Sequence, residues 1–230
     1  MKEEYKLDNP VWYSLNEVHK EFAITDKGMK FYEPAYCKFG SSPEATNAIN
    51  AINNYSNLTP SFFVVGKKPI NTNSIKLKKE IACNQMVFRN QVDFKVTDPI
   101  TELQSAVEKS DLAELVNLVQ PGYFVKKTTA LSQYFGIYKD HKLIAAIGER
   151  MKMDQFTEIS SVVTHPVFTR KGYAKQLLVH LIHKIQQEGK TPYLHVAEVN
   201  TGAIKLYEKL GFITRRKIVF WNLQVDNSPN

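Results

Sequence analysis

Cysteine is nearly absent from this chain: Cys37 and Cys83 are the only two in 230 residues. They form neither a metal-ligand spacing nor a redox pair, and no His/Cys/Asp group elsewhere has ligand spacing. No apolar run is long enough to span a bilayer, and Met1-Lys2-Glu3-Glu4-Tyr5-Lys6 carries charges of both signs with no apolar core behind it. Secretion and membrane insertion are therefore not expected, and a reducing cytoplasm is the default. There is no repeat at a fixed period, no low-complexity tract and no nucleophilic Ser or Cys motif. Catalysis, if present, is expected to be direct, without a covalent enzyme intermediate or a metal.

What is present is ordinary globular composition, 43% hydrophobic and 23% charged residues, enough for one large core or two modest ones. The net charge of +7 is unevenly placed. Residues 1–150 hold 19 Lys and Arg against 17 Asp and Glu, whereas residues 151–230 hold 11 against 6. A polyanionic small ligand in the C-terminal half accounts for that bias. No zinc-finger, helix-turn-helix or RNP aromatic pattern accompanies it, so nucleic acid is not an expected partner; an RNA-associated modifier would show salt-dependent RNA binding.

One stretch stands out. A β-branched run, Ile159 to Val163, stops at His165-Pro166; the turn Thr169-Arg170-Lys171-Gly172-Tyr173-Ala174 then opens a helix with apolar residues at Ala174, Leu177, Leu178, Leu181, Ile182 and Ile185. Such a strand, turn and helix leave the amides from about Arg170 to Lys175 without acceptors at the positive end of the helix, where an anion binds. Further on stands Asn200-Thr-Gly-Ala-Ile-Lys-Leu-Tyr-Glu-Lys-Leu-Gly-Phe212.

These motifs resemble the GNAT superfamily of coenzyme A-dependent N-acyltransferases. Pro121-Gly-Tyr-Phe, Gly148-Glu-Arg-Met, Thr164-His-Pro and Tyr193-Leu-His-Val are similar to its FR47-like branch. The resemblance spans roughly residues 112 to 216. It departs from the family pattern at Thr169, where Gln or Arg is usual; Thr at that place is a good helix N-cap, and Arg170 and Lys171 offer charge to phosphate oxygens. The resemblance implies an α/β fold in which one mixed sheet of the α+β kind splays open between two coenzyme-contacting strands. It implies acetyl-CoA as cosubstrate, with the pyrophosphate on the amides of Arg170, Lys171, Gly172, Tyr173, Ala174 and Lys175. Homodimers are common in the superfamily.

Transfer to an amine needs the neutral base form, less than ~0.1% of a lysine-like ammonium at pH 7, so a general base is wanted. Glu158 stands where the resemblance places the glutamate of Gcn5-type enzymes, and strand alternation puts it on one face with Ser160 and Val162. A salt-bridged or positioning carboxylate is the competing role. Glu149, beside Arg150, is the rival and a candidate contact for the acceptor amine; if its strand is an antiparallel neighbour, the two carboxylates lie close and one has a raised pKa. Otherwise Glu149 and Arg150 simply pair at the end of a hairpin.

Tyr207 matches the tyrosine that protonates the departing thiolate in the family, or else is core with its hydroxyl satisfied. Asn200 can cap Ala203 or bond the pantetheine amide. The main chain at Val162, Val163 and Thr164 can pair with the pantetheine arm, and an N–H there can polarise the thioester. Among the histidines, His165 and His195 are weak candidates for acceptor contact, and His180 and His183 are expected on a solvated helix face.

The first hundred residues match nothing specific. Strands are expected at Phe62–Gly66 and Ile81–Phe88, a helix over Pro43–Asn54, and loop or edge at Asn71–Asn73 and Lys76–Glu80. A boundary near Thr97-Asp98-Pro99 gives residues 1–98 as an N-terminal extension, or a degenerate partner domain covering the acceptor side, and residues 99–230 as the acetyltransferase domain. The second part reads β-β-β-α-β-α-β, with Asp140-His141 as a hairpin turn and Phe212–Leu223 as two final strands. The function expected is acetyl transfer from acetyl-CoA to a primary amine on a small molecule or peptide; the alternative is a non-catalytic acyl-CoA-binding sensor or regulatory module.

Overall fold

The computed structural model describes residues 3–43, 48–70, 74–92, 94–125 and 127–226. The β-branched and aromatic runs pair into one mixed sheet of eleven strands. In chain order these are β1 (Ala23–Asp26), β2 (Met29–Tyr32), β3 (Phe39–Ser41), β4 (Ser61–Val65), β5 (Ile75–Phe88), β6 (Thr101–Glu102), β7 (Tyr134–Lys139), β8 (Lys142–Lys152), β9 (Phe156–Thr164), β10 (Thr191–Ala197) and β11 (Phe212–Val225). The helices are α1 (Pro10–Ser14), α2 (Ala48–Ser56), α3 (Ala106–Val119), α4 (Tyr173–Gln187) and α5 (Thr201–Lys209). Across the sheet the order is β1-β2-β3-β4-β11-β5-β10-β9-β8-β7-β6. Only β3/β4 and β9/β10 run parallel.

Local chemistry fixes the elements. Asp140 and His141 both take positive φ, 48° and 59°, the conformation of a two-residue type I′ turn, and β7 and β8 pair around them. Ser105 and Glu108 form a reciprocal capping box that starts α3. In α4 the apolar stripe Leu177, Leu178, Leu181, Ile182 and Ile185 is fully buried, each side chain contributing roughly 1.5–3 kcal/mol of transfer free energy. It packs with α5 on Phe135, Ile137, Ala145, Ile147 and Ile159. The alternating residues Tyr134, Ala146 and Val163 face the other way, under α3. That second face also carries α1 and a core with Phe39, Tyr193 and Phe220.

Several expectations need correction. Phe212 to Val225 is one strand with a bulge at Thr214/Arg216, not two, because both flanks are paired, with β5 along its length and with β4 at its end. The polar Lys76–Glu80 is the first half of β5 rather than loop, since β11 supplies its hydrogen bonds. Ala45 and Asn71–Asn73 lie outside the described residues. The sheet is continuous past residue 98: β5, from the N-terminal part, lies between β11 and β10. Among the described residues no helix is long and apolar enough to cross a membrane.

Candidate active site

β9 and β10 are bonded only at their beginnings, from Thr191↔Phe156 to Leu194↔Ile159. Beyond that point they part. Ser161 takes φ 52° at a register shift against β8, which bends β9 away. Ser160 to Thr164 and His195 to Ala197 thus flank a slot through the sheet. A cavity of about 570 Å³ passes through this slot, lined by Ala174, Ala203, Leu206 and Tyr207 on the α4/α5 face and by Tyr36, Phe39, Phe63 and Tyr123 on the other.

The turn into α4 is shaped by two left-handed residues, Arg170 at φ 62° and Gly172 at φ 86°. Successive amides in such a turn converge as an anion-binding nest. The first helical bond is Gln176 N–H to Gly172 C=O at 3.2 Å, so the amides of Tyr173, Ala174 and Lys175 have no helical acceptor. No side chain caps this end; Thr169, expected as a cap, instead donates its hydroxyl to Pro166 C=O at 3.0 Å. A Cβ on Gly172 would meet nothing within 4 Å, which leaves open space above the amides. Arg170 and Lys171 are exposed beside it. Gln176 is buried and accepts from the amides of Thr97 and Asp98 at 2.7 and 2.8 Å, fixing the turn at 97–98 to the first turn of α4.

Of the remaining coenzyme candidates, Val162 lines the cavity, Val163 is buried beneath α3 and Thr164 is half-buried. Asn200 does cap α5, its Oδ1 accepting from Ala203 N–H at 3.2 Å, and both residues line the cavity. Tyr207 is 7% exposed, and burial lifts its phenol to about 12, so it stays protonated at neutral pH.

The two glutamates differ from expectation. Glu149 and Glu158 are on antiparallel neighbours, but the register sets Glu149 opposite Ile159, and a bulge between Glu149 and Lys152 separates the carboxylates onto opposite faces. Glu149 is buried toward α4, bonded to Lys152 Nζ at 2.6 Å and Lys184 Nζ at 3.0 Å, and does not line the cavity. It therefore does not pair with Arg150 and is not placed to meet an acceptor amine. Glu158 is fully buried and also does not line the cavity. Arg150 clasps it through Nε at 2.8 Å and Nη2 at 2.6 Å, and His195 Nδ1 lies 2.7 Å from Oε1. Burial alone would raise this carboxyl; the guanidinium and the imidazole outweigh it and hold it at about 2. The raised pKa expected from two close carboxylates is thus replaced by a lowered one, and Arg150 and His195 stand between Glu158 and the cavity.

Arg150 and His195 do reach the cavity. Sequence reasoning assigned Arg150 to the wrong glutamate and rated His195 low; the signal was the alternation Tyr193, His195, Ala197, which sets all three on the Glu158 face. Gln85 of β5 completes the group. Its Oε1 accepts from Arg215 at 3.1 Å, so its Nε2 is the donor to Leu7 C=O at 2.7 Å and to His195 Nε2 at 3.1 Å. This assigns the proton of His195 to Nδ1, facing Glu158, and the lone pair to Nε2. His165 accepts from Val167 N–H outside the cavity. His180 is not on a solvated face: its Nε2 is buried with no partner among the described residues, and its ring packs edge-on against Phe135.

A mixed sheet opened between two parallel strands, with a donor-rich helix start on one side of the slot, is the arrangement the resemblance implies. Residues 134–221 match the family described as FR47-like protein. The chain is 30% identical over 117 residues to the [ribosomal protein bS18]-alanine N-acetyltransferase of Escherichia coli K12, covering 47% of this chain and 78% of that one. The protein of the same name from Haemophilus ducreyi is 43% identical over 68 residues, 28% of this chain and 46% of its own. Among solved structures, a protein from Novosphingobium aromaticivorans assigned to the GNAT family of acetyltransferases superposes with a TM-score of 0.85 at 27% identity, over 96% of this chain and 99% of that one. The chain belongs to the GNAT family of N-acetyltransferases.

Proposed function

We propose that the protein transfers an acetyl group directly from acetyl-CoA to a primary amine. The observation that carries this is the slot between β9 and β10, which joins the free amides of α4 on one face to a side-chain-lined chamber on the other. The residues present fit the coenzyme. Its pyrophosphate would rest on the amides from Arg170 to Lys175, Arg170 and Lys171 adding charge, and its pantetheine arm would take the β10-facing edge of β9 at Val162, Val163 and Thr164, where the two strands no longer pair, with Asn200 and Ala203 across from it. The thioester would then lie in the slot, open to an amine entering from the opposite face.

In the chemical step the amine nitrogen bonds to the carbonyl carbon and the carbon–sulfur bond breaks. Tyr207 gives its phenolic proton to the departing thiolate, and burial keeps that proton in place until the step. The amine proton leaves to solvent in the open chamber, because the one lone pair of His195 Nε2 already accepts from the Gln85 amide. Glu158 stays ionised and holds the Nδ1 proton of His195, which fixes the ring in the chamber wall between Glu158 and Gln85. Residues 36–39 and 61–63 share the acceptor-side wall with residues 116–131 and Phe220, and with both cysteines free and buried we place the reaction in the reducing cytoplasm.

Calorimetric titration of acetyl-CoA into the native protein and into Gly172→Asp tests the first half, and thiol release on adding amines tests the second. Binding by the native protein that is weakened in the variant, followed by amine-dependent thiol release, is expected. A native protein that binds no acetyl-CoA would sink the proposal.

A further inference from the structure

We infer that the acceptor is a small α-amino acid with an apolar or aromatic side chain, its carboxylate held by Arg150 and Lys38 and its side chain by the rings of the far wall. This rests on the acetyl-transfer reading above. Charge comes first. Among the described residues Arg150 and Lys38 are the charged ones that line the cavity, and no Asp or Glu lines it. A polyamine or aminoglycoside would bring further ammonium groups against Lys38 and an Arg150 already balanced by Glu158, with no carboxylate on the lining to receive them. An acceptor that carries its own carboxylate reverses that balance.

The geometry of Arg150 suits the task. Nε and Nη2 are engaged by Glu158, and the guanidinium carbon lies 4.8 Å over the Phe39 ring, so the group is fixed before any ligand arrives. Nη1 makes no hydrogen bond among the described residues, and Arg150 lines the chamber. A rigid planar donor with one free edge matches a carboxylate. Lys38 has no ion pair among the described residues and supplies the uncompensated charge.

The walls set the rest of the molecule. Tyr36, Phe39, Phe63, Tyr123, Phe124 and Phe220 all line the cavity, an aromatic enclosure for an apolar side chain. The roof is tied down: Phe63 stacks on Tyr123 at 5.8 Å, Thr128 Oγ1 donates to Tyr36 C=O at 3.0 Å, and Lys127 N–H donates to Ala35 C=O at 3.0 Å. The same 570 Å³ must also admit the acyl end of the coenzyme. That shared volume favours a small acceptor over a longer chain. All of these rings except Phe220 lie outside residues 134–221, so the acceptor side is built from what the family match does not cover.

The test uses the full chain with acetyl-CoA and four probes: phenylalanine, phenylalanine amide, phenethylamine and spermidine. Phenylalanine should exceed each of the others by at least about tenfold in kcat/KM, and Lys38→Ala should shrink the phenylalanine-to-phenethylamine ratio toward one. Equal or better turnover of phenethylamine or spermidine overturns the inference, as does acetyl-CoA binding with no turnover of phenylalanine; preference for the amide points to peptide N-termini instead and overturns it too. In all of those cases coenzyme binding survives. Failure to bind acetyl-CoA at all is the separate result that removes the underlying reading.

Discussion

The two faces of the sheet where β9 and β10 part are built from different materials. On the α4 face the donors are main-chain amides, held by two left-handed residues and a helix start, and almost any side chain not too large would serve there. On the other face the groups are side chains drawn from distant parts of the sequence: Arg150 from β8, Glu158 from β9, His195 from β10, Gln85 from β5 and Phe39 from β3. A main-chain site depends on local conformation and can be written in six consecutive residues. A side-chain site depends on register across five strands, and no short motif records it.

The contrast can be challenged experimentally, most severely by cutting the chain. Residues 99–230 alone lack β5, so β10 and β11 lose their shared neighbour; the fragment is expected to be insoluble or unfolded by circular dichroism, whereas an autonomous C-terminal domain would stay soluble. Tyr207→Phe comes next. It keeps the ring and loses only the phenolic proton, so kcat should fall by about 10² to 10⁴ with coenzyme affinity preserved. A drop in affinity with unchanged kcat would instead make Tyr207 a contact residue.

Glu158→Ala leaves the Arg150 guanidinium buried against Phe39 without its carboxylate. The cost should be about 3–5 kcal/mol in denaturant unfolding, since a lone buried charge remains. Its pH dependence has a definite sign. Glu158 is held at about 2 in the folded protein against an ordinary 4.5, so its contribution is fully present above 4.5 and is lost as pH falls toward 2. Acid unfolding of Glu158→Gln should therefore be flatter than native between those limits. The rate profile should show no limb from Glu158 above pH 4; a limb near 4.5 that disappears in Glu158→Gln would restore it as a direct base.

The smallest effect is expected at Gly172→Asp. A non-glycine residue at φ 86° carries a strain of about 1–2 kcal/mol, and a carboxylate there competes with phosphate for the amides. Coenzyme affinity should fall roughly 10- to 100-fold while unfolding midpoints move by a few degrees.

The same contrast explains what could be read from the sequence. Phe156–Thr164, the α4 stripe and the Asp140-His141 turn were legible because each is set by neighbours in the chain: alternation, a 3.6-residue period, and two residues suited to positive φ. The turn into α4, with its glycine, was legible for the same reason. The partners of Glu149 and Glu158 were not, because which face a carboxylate takes depends on a bulge in β8 that no residue type announces. Lys76–Glu80 looked like loop because its polarity reflects exposure, while its strand geometry comes from β11, more than a hundred residues away. The insertion of β5 was hidden in the same way, as a pairing between segments with no mark of kinship.

The position of β11 bears on how the molecule is made. The last of the described strands, it lies between β4 and β5 and bonds to both. During synthesis those two earlier strands must wait, each with an open flank, while some 120 residues are added. Their closing partner then threads between them, a high-contact-order step of the kind that is slow and prone to misassembly. Agents that shield open strand edges in nascent chains should therefore matter more to the yield of this protein than to its stability once folded.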